Sequence, residues 1–509
     1  MENKSVLWIE NPEDMVDPEL LTSFPYAFLK NNCLLPLKNA GGEIIIVTDD
    51  PLKTDIGEIR SQLNREVKIA LASTENIQRC LDKFYYHPSS SKKVIDDLKS
   101  EEMLHLEEDI DVDGMNLLDL ANKAPVIRLV NQILYRAISM RASDVHIQGG
   151  ETNLKVRYRV DGVLHDIFVL PRKYHPAIVT RVKIISNLDI AEKRIPQDGR
   201  TSIKADNKKI DIRVSIIPTF FGESVVLRLL DRSAFLFNLN DLGFSREHYE
   251  NFNKLIHLDH GIILLTGPTG SGKTTTLYAA LSKINNPGIN IVTLEDPVEY
   301  NIDGINQIQV NPRVGLTFAN GLRSILRHDP NIIMVGEIRD VETAEMAIQA
   351  SLTGHLVFST LHTNDSTSAV IRLIDMGVEP YLIASSLVGI MAQRLVRLNC
   401  PECSADASPS PVEMEQIAFG EGNLSGMHYR EGKGCSKCFN EGFYGRTGIF
   451  ELLAIDDEMR NRIAVKTSVA EIKKLAMKKN LVTLRMDGAE KIRQGITTIP
   501  EVLRVTQEI

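Results

Sequence analysis

The chain has 509 residues, 43% hydrophobic and 25% charged, with a formal net charge of −9. That length suits about three or four globular domains, and the acidic balance argues against a general polyanion binder, so no direct contact with nucleic acid is expected. No apolar run reaches the roughly 18–20 residues of a membrane span, and Met1-Glu2-Asn3-Lys4 leads into no apolar leader core, so a cytoplasmic protein is expected.

Residues 1–88 read as a small α+β module. The run 43–48 is a strand candidate, Asp50-Pro51 breaks it, and 56–63 carries helical spacing. Cys33 and Cys80 sit among apolar neighbours and read as packing residues. Residues 87–93 have linker composition, and 89–121 is acid-rich: a solvated connector, or else a segment that folds on a partner. A second domain follows at 122–232. Residues 127–134 place their apolar side chains on one helical face. Strands are expected at 155–160, 211–216 and 224–229, with a hairpin at Asp161-Gly162. Arginines alternate with apolar residues in these strands, so Arg213 and Arg228 are expected on a shared polar face.

From 241 to 509 the pattern changes. Up to about 399, apolar strands alternate with helical stretches, as in an α/β sheet. The strand 261–266 runs into Gly267-Pro268-Thr269-Gly270-Ser271-Gly272-Lys273-Thr274, and a helical stretch beginning at Thr275 leads out. This is a P-loop in its expected context. Glycines let the backbone wrap a phosphate chain with its N–H groups inward, and the helix N-terminus adds partial positive charge. Lys273 is expected at the β/γ-phosphates of ATP and the Thr274 hydroxyl on Mg²⁺. The stretch from about 446 to 509 is mostly helical by period.

Two further strands end in carboxylates. The run 332–335 is followed by Gly336-Glu337, and 291–294 by Glu295-Asp296-Pro297-Val298-Glu299. Beside a P-loop, such a strand tip supplies the acid that orients or activates the attacking water, or holds Mg²⁺ through water, and Glu337 is the first candidate. Arg323 and Arg327, four apart, are expected on one helical face, and Arg339 follows Glu337 closely. His355 and His362 flank the strand 356–361. Their spacing fits no chelating pair on a helix, and a phosphate-sensing contact is the alternative to a satisfied structural histidine.

Cys400-Pro401-Glu402-Cys403 and Cys435-Ser436-Lys437-Cys438 can present four thiolates to one tetrahedral Zn²⁺. A redox role is the competing reading. The separation exceeds commoner ribbon lengths, so 404–409 is expected to loop out.

Together, the P-loop, the acidic box 294–300, the segment Val335-Gly336-Glu337-Ile338-Arg339-Asp340 and the histidine box 353–364 resemble the secretion ATPases of the type II/type IV pilus class. Residues 141–147 and 194–200 extend the likeness, which covers about 124–509. The resemblance implies a homo-hexameric ring of RecA-like domains, each preceded by a PAS-like α/β domain, with ATP between the two. It implies Glu337 as the Walker B glutamate, and Glu295, Asp296 and Glu299 as the acidic box. His355 and His362 fill the histidine box, and Arg213 and Arg228 approach the γ-phosphate. It implies a tetracysteine zinc subdomain at 397–445, as in the secretion and pilus-extension members. The N-terminal module would dock on inner-membrane secretion platform proteins, making the motor peripheral at the cytoplasmic face. The Arg-Leu-Gly motif that pilus-extension members carry near their start is missing from this sequence.

Overall fold

The computed structural model describes residues 7–9, 12–16, 20, 29, 32–38, 43–50, 67–85, 121, 124–205, 208–231, 238–417 and 428–506. The expected helix at 56–63, the linker at 87–93 and the acidic stretch to 119 lie outside the described residues. The chain divides into two compact units, 1–233 and 234–509.

The first unit contains two sheets. Strands β1 (Leu7–Trp8), β2 (Leu34–Lys38), β3 (Ile44–Thr48) and β4 (Val67–Leu71) form a four-stranded sheet in the order β1-β4-β3-β2. Helix α1 (Thr74–Tyr85) contributes Ile77, Cys80 and Leu81 to its core. Cys80 is therefore a packing residue. The Cys33 thiol is pushed up to about 11, first by burial and then by its hydrogen bond with Asp49, so it stays protonated and unreactive at neutral pH.

Helix α2 (Ala124–Ser139) buries Leu129, Val130, Ile133, Leu134 and Ala137, the spacing of a single apolar stripe. It packs with α3 (His175–Ile185) in the core beneath a six-stranded antiparallel sheet. The strands are β5 (Ala142–Gly149), β6 (Asn153–Val160), β7 (Val163–Pro171), β8 (Gln197–Ala205), β9 (Lys208–Thr219) and β10 (Gly222–Asp231), in the order β7-β6-β5-β10-β9-β8. Asp161 and Gly162 join β6 to β7 with φ of 48° and 90°, as a type I′ turn requires. Val156, Tyr158, Ile212, Val214, Val225 and Leu227 are buried on the core face. On the other face Arg159, Asp144, Arg228, Arg213 and Arg200 are successive cross-strand partners, a charged row over five neighbouring strands.

The second unit is built on a seven-stranded sheet. Its strands are β11 (Gly261–Thr266), β12 (Ile291–Glu295), β13 (Asn306–Gln309), β14 (Ile332–Val335), β15 (Leu356–Leu361), β16 (Leu387–Asn399) and β19 (Phe443–Ala454). The order is β13-β12-β14-β15-β11-β16-β19, parallel throughout except for the last pair. Strands β11, β12, β14 and β15 are buried at every position, because helices cover both faces of a parallel sheet. These are α4 (Arg246–Leu255), α5 (Lys273–Ile284), α6 (Phe318–Ile325), α7 (Val341–Leu352), α8 (Ser366–Asp375) and α9 (Pro380–Ser386). Their parallel direction brings the ends of β11, β12, β14 and β15 to one edge, where such sheets bind ligands.

The C-terminal stretch differs in part from its periodicity. Residues 446–454 belong to β19, which pairs with β16 over its whole length. Ile449, Phe450, Leu452 and Leu453 mimic helical spacing, but a short apolar run is ambiguous by period alone, and pairing across the sheet decides it. Beyond β19, α11 (Asp457–Ala464), α12 (Val469–Lys478), α13 (Leu484–Arg493) and α14 (Ile499–Thr506) are helical as expected. Asp456, Ser468 and Thr483 cap the first three by accepting a backbone N–H.

Glu501 anchors the last helix. Its buried carboxylate accepts from the Arg397 side chain at 3.0 and 3.2 Å and also pairs with Arg504. Burial pushes its acid up, but the hydrogen bonds from Arg504 and Arg397 outweigh this and hold it below the ordinary carboxylate range. A depressed folded-state pKa contributes stability above the unfolded value that is lost as pH falls through the folded one. Glu501→Gln should therefore cost roughly 3 kcal/mol at pH 7. The gap from the native chain should narrow as pH drops below about 4; thermal melts across pH 3–7 measure both.

Candidate nucleotide site and cysteine cluster

Residues 267–272 turn sharply between β11 and α5. Gly267, Gly270 and Gly272 have φ of 151°, 81° and 89°. A Cβ on Gly267 would lie 2.6 Å from the Gln393 carbonyl and the Ser271 hydroxyl, so only glycine fits there. Pro268, Thr269, Gly270 and Thr274 are exposed and Thr275 is half-buried. The Ser271 hydroxyl is buried with no hydrogen-bond partner. Lys273 Nζ folds back to donate to the carbonyls of Gly267 at 2.6 Å and Pro268 at 3.1 Å. An orphaned hydroxyl, a helix N-terminus and a buried ammonium held only by carbonyls all fit an incoming phosphate chain. The exposed Thr274 hydroxyl suits Mg²⁺. Burial pulls Lys273 down to about 8, with the Glu337 charge opposing and the Arg394 charge adding to the fall.

The turn after β14 is pinned from three sides. Gly336 N–H donates to the Leu294 carbonyl at 2.8 Å, Ile338 N–H to the Thr360 carbonyl at 3.0 Å, and the Thr360 hydroxyl to the Gly336 carbonyl at 2.7 Å. Glu337 is thereby held in place, ion-paired with Arg339 and 3.4 Å from His362 Nε2. It stands at the same edge of the sheet as the P-loop, β14 and β11 being parallel with β15 between them, and its charge opposes the fall in Lys273.

The other predicted residues divide. Glu295 is buried, and its carboxylate accepts from Tyr278, from Thr293 at 2.5 Å and from Gln307 at 3.1 Å. With these donors on both oxygens it ties α5 to β12 and β13. Asp296 is exposed just beyond the strand, and Glu299 N–H donates to the Tyr278 hydroxyl at 3.3 Å. His355 lies at the opposite end of β15 from His362, where its Nδ1 meets the Ala350 carbonyl at 2.8 Å; the structure does not bring it to the P-loop of the same chain. Arg323 pairs with Glu342 at 2.6 Å. Arg327 lies past the end of α6, with Nη1 donating to the Arg323 carbonyl at 2.9 Å, so the expected shared helical face is lost. In the six-stranded sheet, Arg228 Nε donates to Asp144 at 2.9 Å and Arg213 is half-buried in the same row.

Two residues of the site escaped the sequence reading. Gln393 and Arg394 lie mid-strand on β16, beside β11. Gln393 Oε1 accepts from the Thr276 hydroxyl at 2.9 Å, and Arg394 Nη2 donates to the Asn364 carbonyl at 2.8 Å. The available signal was an adjacent polar pair inside an otherwise apolar run.

The four cysteine sulfurs of 400, 403, 435 and 438 lie within 4.8 Å of one another. Three pairs are 3.6–3.8 Å apart: Cys435 with Cys438, Cys403 with Cys438 and Cys400 with Cys435. A tetrahedron with Zn–S bonds near 2.3 Å has edges of about 3.8 Å. Backbone N–H groups of Gly434, Cys435 and Gly442 point at the sulfurs from 3.2–3.3 Å, as thiolate ligands require. The stretch 404–409 does not loop out from its start: β17 (Ser404–Asp406) pairs with β18 (Arg430–Gly432), and helix α10 (Pro411–Ile417) follows. The two-stranded ribbon spans the long separation and joins both knuckles.

A central parallel sheet, a P-loop and an acid beyond the strand two places away define a RecA-like P-loop ATPase. The family model described as type II/IV secretion system protein matches residues 119–504, and the chain belongs to that family. A MshEN domain model matches residues 6–91. The chain is 44% identical over 496 residues to type II secretion system protein E of Dickeya dadantii, covering 96% of this chain and 98% of that one. It is 47% identical over 447 residues to type II secretion system ATPase E of Vibrio cholerae, covering 86% and 87%. A crystal structure of the pilus retraction motor PilT with bound ADP matches at a TM-score of 0.51 and 25% identity, over 74% of this chain and 96% of that one.

The buried ammonium sets a pH dependence. Bound phosphates favour protonated Lys273, so above about pH 8 binding must take up a proton, and affinity should fall roughly tenfold per pH unit. Calorimetric titration with ADP from pH 7 to 9.5 measures the slope; a flat profile contradicts the assignment. Zinc should co-purify at about one ion per chain and leave with acid or a strong chelator, because thiolates bind only deprotonated. Elemental analysis alongside alkylation of Cys400 and Cys435 checks this.

Proposed function

We propose that this ATPase is the motor of a type II secretion system, hydrolysing ATP at the edge formed by Gly267–Thr274 and Glu337 to drive pseudopilus assembly and protein export. The observation that carries the reading is Glu337, fixed at the end of β14 on the same sheet edge as the P-loop. Relatives named as secretion system ATPases over nearly the whole chain support the cellular role.

The chemistry follows from the placement of the groups. Lys273 exchanges its two loop carbonyls for the phosphates of ATP, and the loop N–H groups and the start of α5 share the remaining charge. Thr274 would hold Mg²⁺, which would supply further neutralisation. Glu337 takes the proton of the attacking water, and Arg339 and His362 keep its carboxylate aimed. Glu295 acts at one remove, holding α5 through Tyr278, with exposed Asp296 and half-buried Glu299 beyond it. Arg213 and Arg228 are assigned to the transferring phosphoryl group, where a rigid fork of always-charged donors is worth most. His355 keeps a role only if a neighbouring chain of a hexamer brings it near nucleotide. Cys400, Cys403, Cys435 and Cys438 would hold zinc as a structural site, four sulfur ligands leaving no position for water. The module at 1–88 docks the motor on inner-membrane platform proteins, at the cytoplasmic face. No helix among the described residues is long and apolar enough to cross a membrane, so attachment through a partner suits the chain.

Glu337→Gln should keep ATP binding and lose roughly 10²–10⁴-fold in turnover; phosphate release with a parallel binding titration separates the two, and near-native turnover would remove the general-base role from Glu337. Arg213→Ala and Arg228→Ala should lower kcat by about tenfold or more with a smaller change in nucleotide affinity. Normal hydrolysis by both in the assembled state would return these arginines to a solvated sheet face.

A further inference from the structure

Arg394 is a cation in an unusual position. It projects from β16, is 8% exposed, and lies directly behind the P-loop. Its Nη1 donates to the Gln393 carbonyl at 3.0 Å and stands 3.0 Å from where a Cβ on Gly267 would be. Its Nη2 donates to the Asn364 carbonyl at 2.8 Å and reaches Asn364 Oδ1 at 3.4 Å. All of these partners are neutral. Glu451 on β19 and Asp365 at the start of α8 act on it only from a distance. A buried charge is costly unless compensated, and here compensation comes from carbonyl dipoles.

The surroundings of Arg394 are parts of the nucleotide edge. Gly267, which opens the P-loop, packs against Arg394 Nη1 and the Gln393 carbonyl that accepts from it. Asn364 ends the turn that begins at His362, the neighbour of Glu337. The same turn is tied to the P-loop strand again, since the Thr266 hydroxyl donates to the Thr363 carbonyl at 3.0 Å and Thr363 N–H donates back to that hydroxyl at 2.9 Å. One planar guanidinium thus joins the Gln393 carbonyl, which packs 2.6 Å from where a Cβ on Gly267 would be, to the segment that carries the partner of the general base. Lysine, a point charge, cannot bridge two acceptors with this fixed geometry.

We propose that Arg394 is a positioning residue of the ATPase reaction, holding the Gly267 end of the P-loop in register with the 362–364 turn, its buried charge balanced by the phosphate chain when nucleotide binds. The proposal rests on the P-loop reading above. It assigns two separable contributions to one side chain. The charge favours polyphosphate binding, and the fork sets the geometry between the loop and the Glu337–His362 pair.

The test uses the full chain carrying Arg394→Lys or Arg394→Gln, with Lys273→Ala as reference, measuring ADP affinity and steady-state ATP hydrolysis. Arg394→Lys, which keeps charge without the fork, should bind ADP within about threefold of the native chain yet lose about tenfold or more in kcat. Arg394→Gln, which loses both, should also weaken ADP binding by about tenfold. A residue that merely supports the fold would give no such split, and the two variants would fall together with the melting temperature. Native kcat in Arg394→Lys, or equal ADP affinity in the two variants, overturns the proposal, and Arg394→Lys alone decides it if Arg394→Gln does not fold. Native ADP binding by Lys273→Ala would instead sink the P-loop reading itself.

Discussion

Everything at the nucleotide edge depends on keeping one irregular backbone segment in place. Residues 267–272 adopt left-handed and extended glycine conformations that no helix or strand ladder supports. They are held instead by what stands behind them. Strand β11 is buried at every position between β15 and β16. Gln393 reaches α5 through Thr276, Arg394 backs Gly267, and the Thr266 hydroxyl locks to Thr363. A phosphate loop works only if its N–H groups are aimed before the ligand arrives. In this chain the aiming is done by side chains from the neighbouring strands.

The same logic extends outward through buried polar groups. Glu451 on β19 accepts from the N–H of Ser366 at 2.9 Å, the first residue of α8, and from the N–H of Leu484 at 3.4 Å, the first residue of α13. One carboxylate thus sits against two helix N-termini, where negative charge is favoured. Asp487, equally buried, accepts from Phe450 N–H at 2.9 Å and lies 3.6 Å from both His248 and Lys491. Lys491 in turn donates to the Gly243 carbonyl at 2.6 Å. These contacts join the start of the unit, the edge strand β19 and the C-terminal helices. Apolar packing alone would fill the same space, but it would not fix which helix end meets which strand position.

Much of this was legible in the sequence. Strands such as 261–266 and 332–335 announce themselves by continuous apolar residues, and α2 by its stripe. The P-loop, Glu337 and the cysteine pairs carry residue types that little else explains at those spacings. What could not be read is of two kinds. Residues 446–454 have apolar positions compatible with either period, and only pairing with β16 makes them a strand. The carboxylate of Glu295 and the histidine at 355 look like site residues in a linear motif. Yet the fold turns one onto Tyr278, Thr293 and Gln307 and leaves the other at the far end of a strand. Motif membership records nearness in sequence, whereas a six-residue strand separates its ends by about 20 Å.

Strand β16 shows how these constraints converge. Over 13 residues it supplies Gln393 and Arg394 to the P-loop, Arg397 to Glu501 of the last helix, and Asn399 to the base of the cysteine subdomain. Asn399 Nδ2 donates to the Arg430 carbonyl at 2.7 Å and to the Gly495 carbonyl at 3.0 Å, and Cys400 N–H donates to the Gly442 carbonyl at 2.9 Å. The cysteine cluster therefore begins at the residue after the strand ends. A strand that is hydrogen-bonded on both sides, to β11 and β19, resists sliding, because a one-residue slip would invert every side chain along it. Locking its far end with the cysteine cluster and a buried ion pair fixes the register of the near end. That register sets which residue stands behind Gly267, so a cysteine cluster distant in sequence and a phosphate loop share one mechanical element.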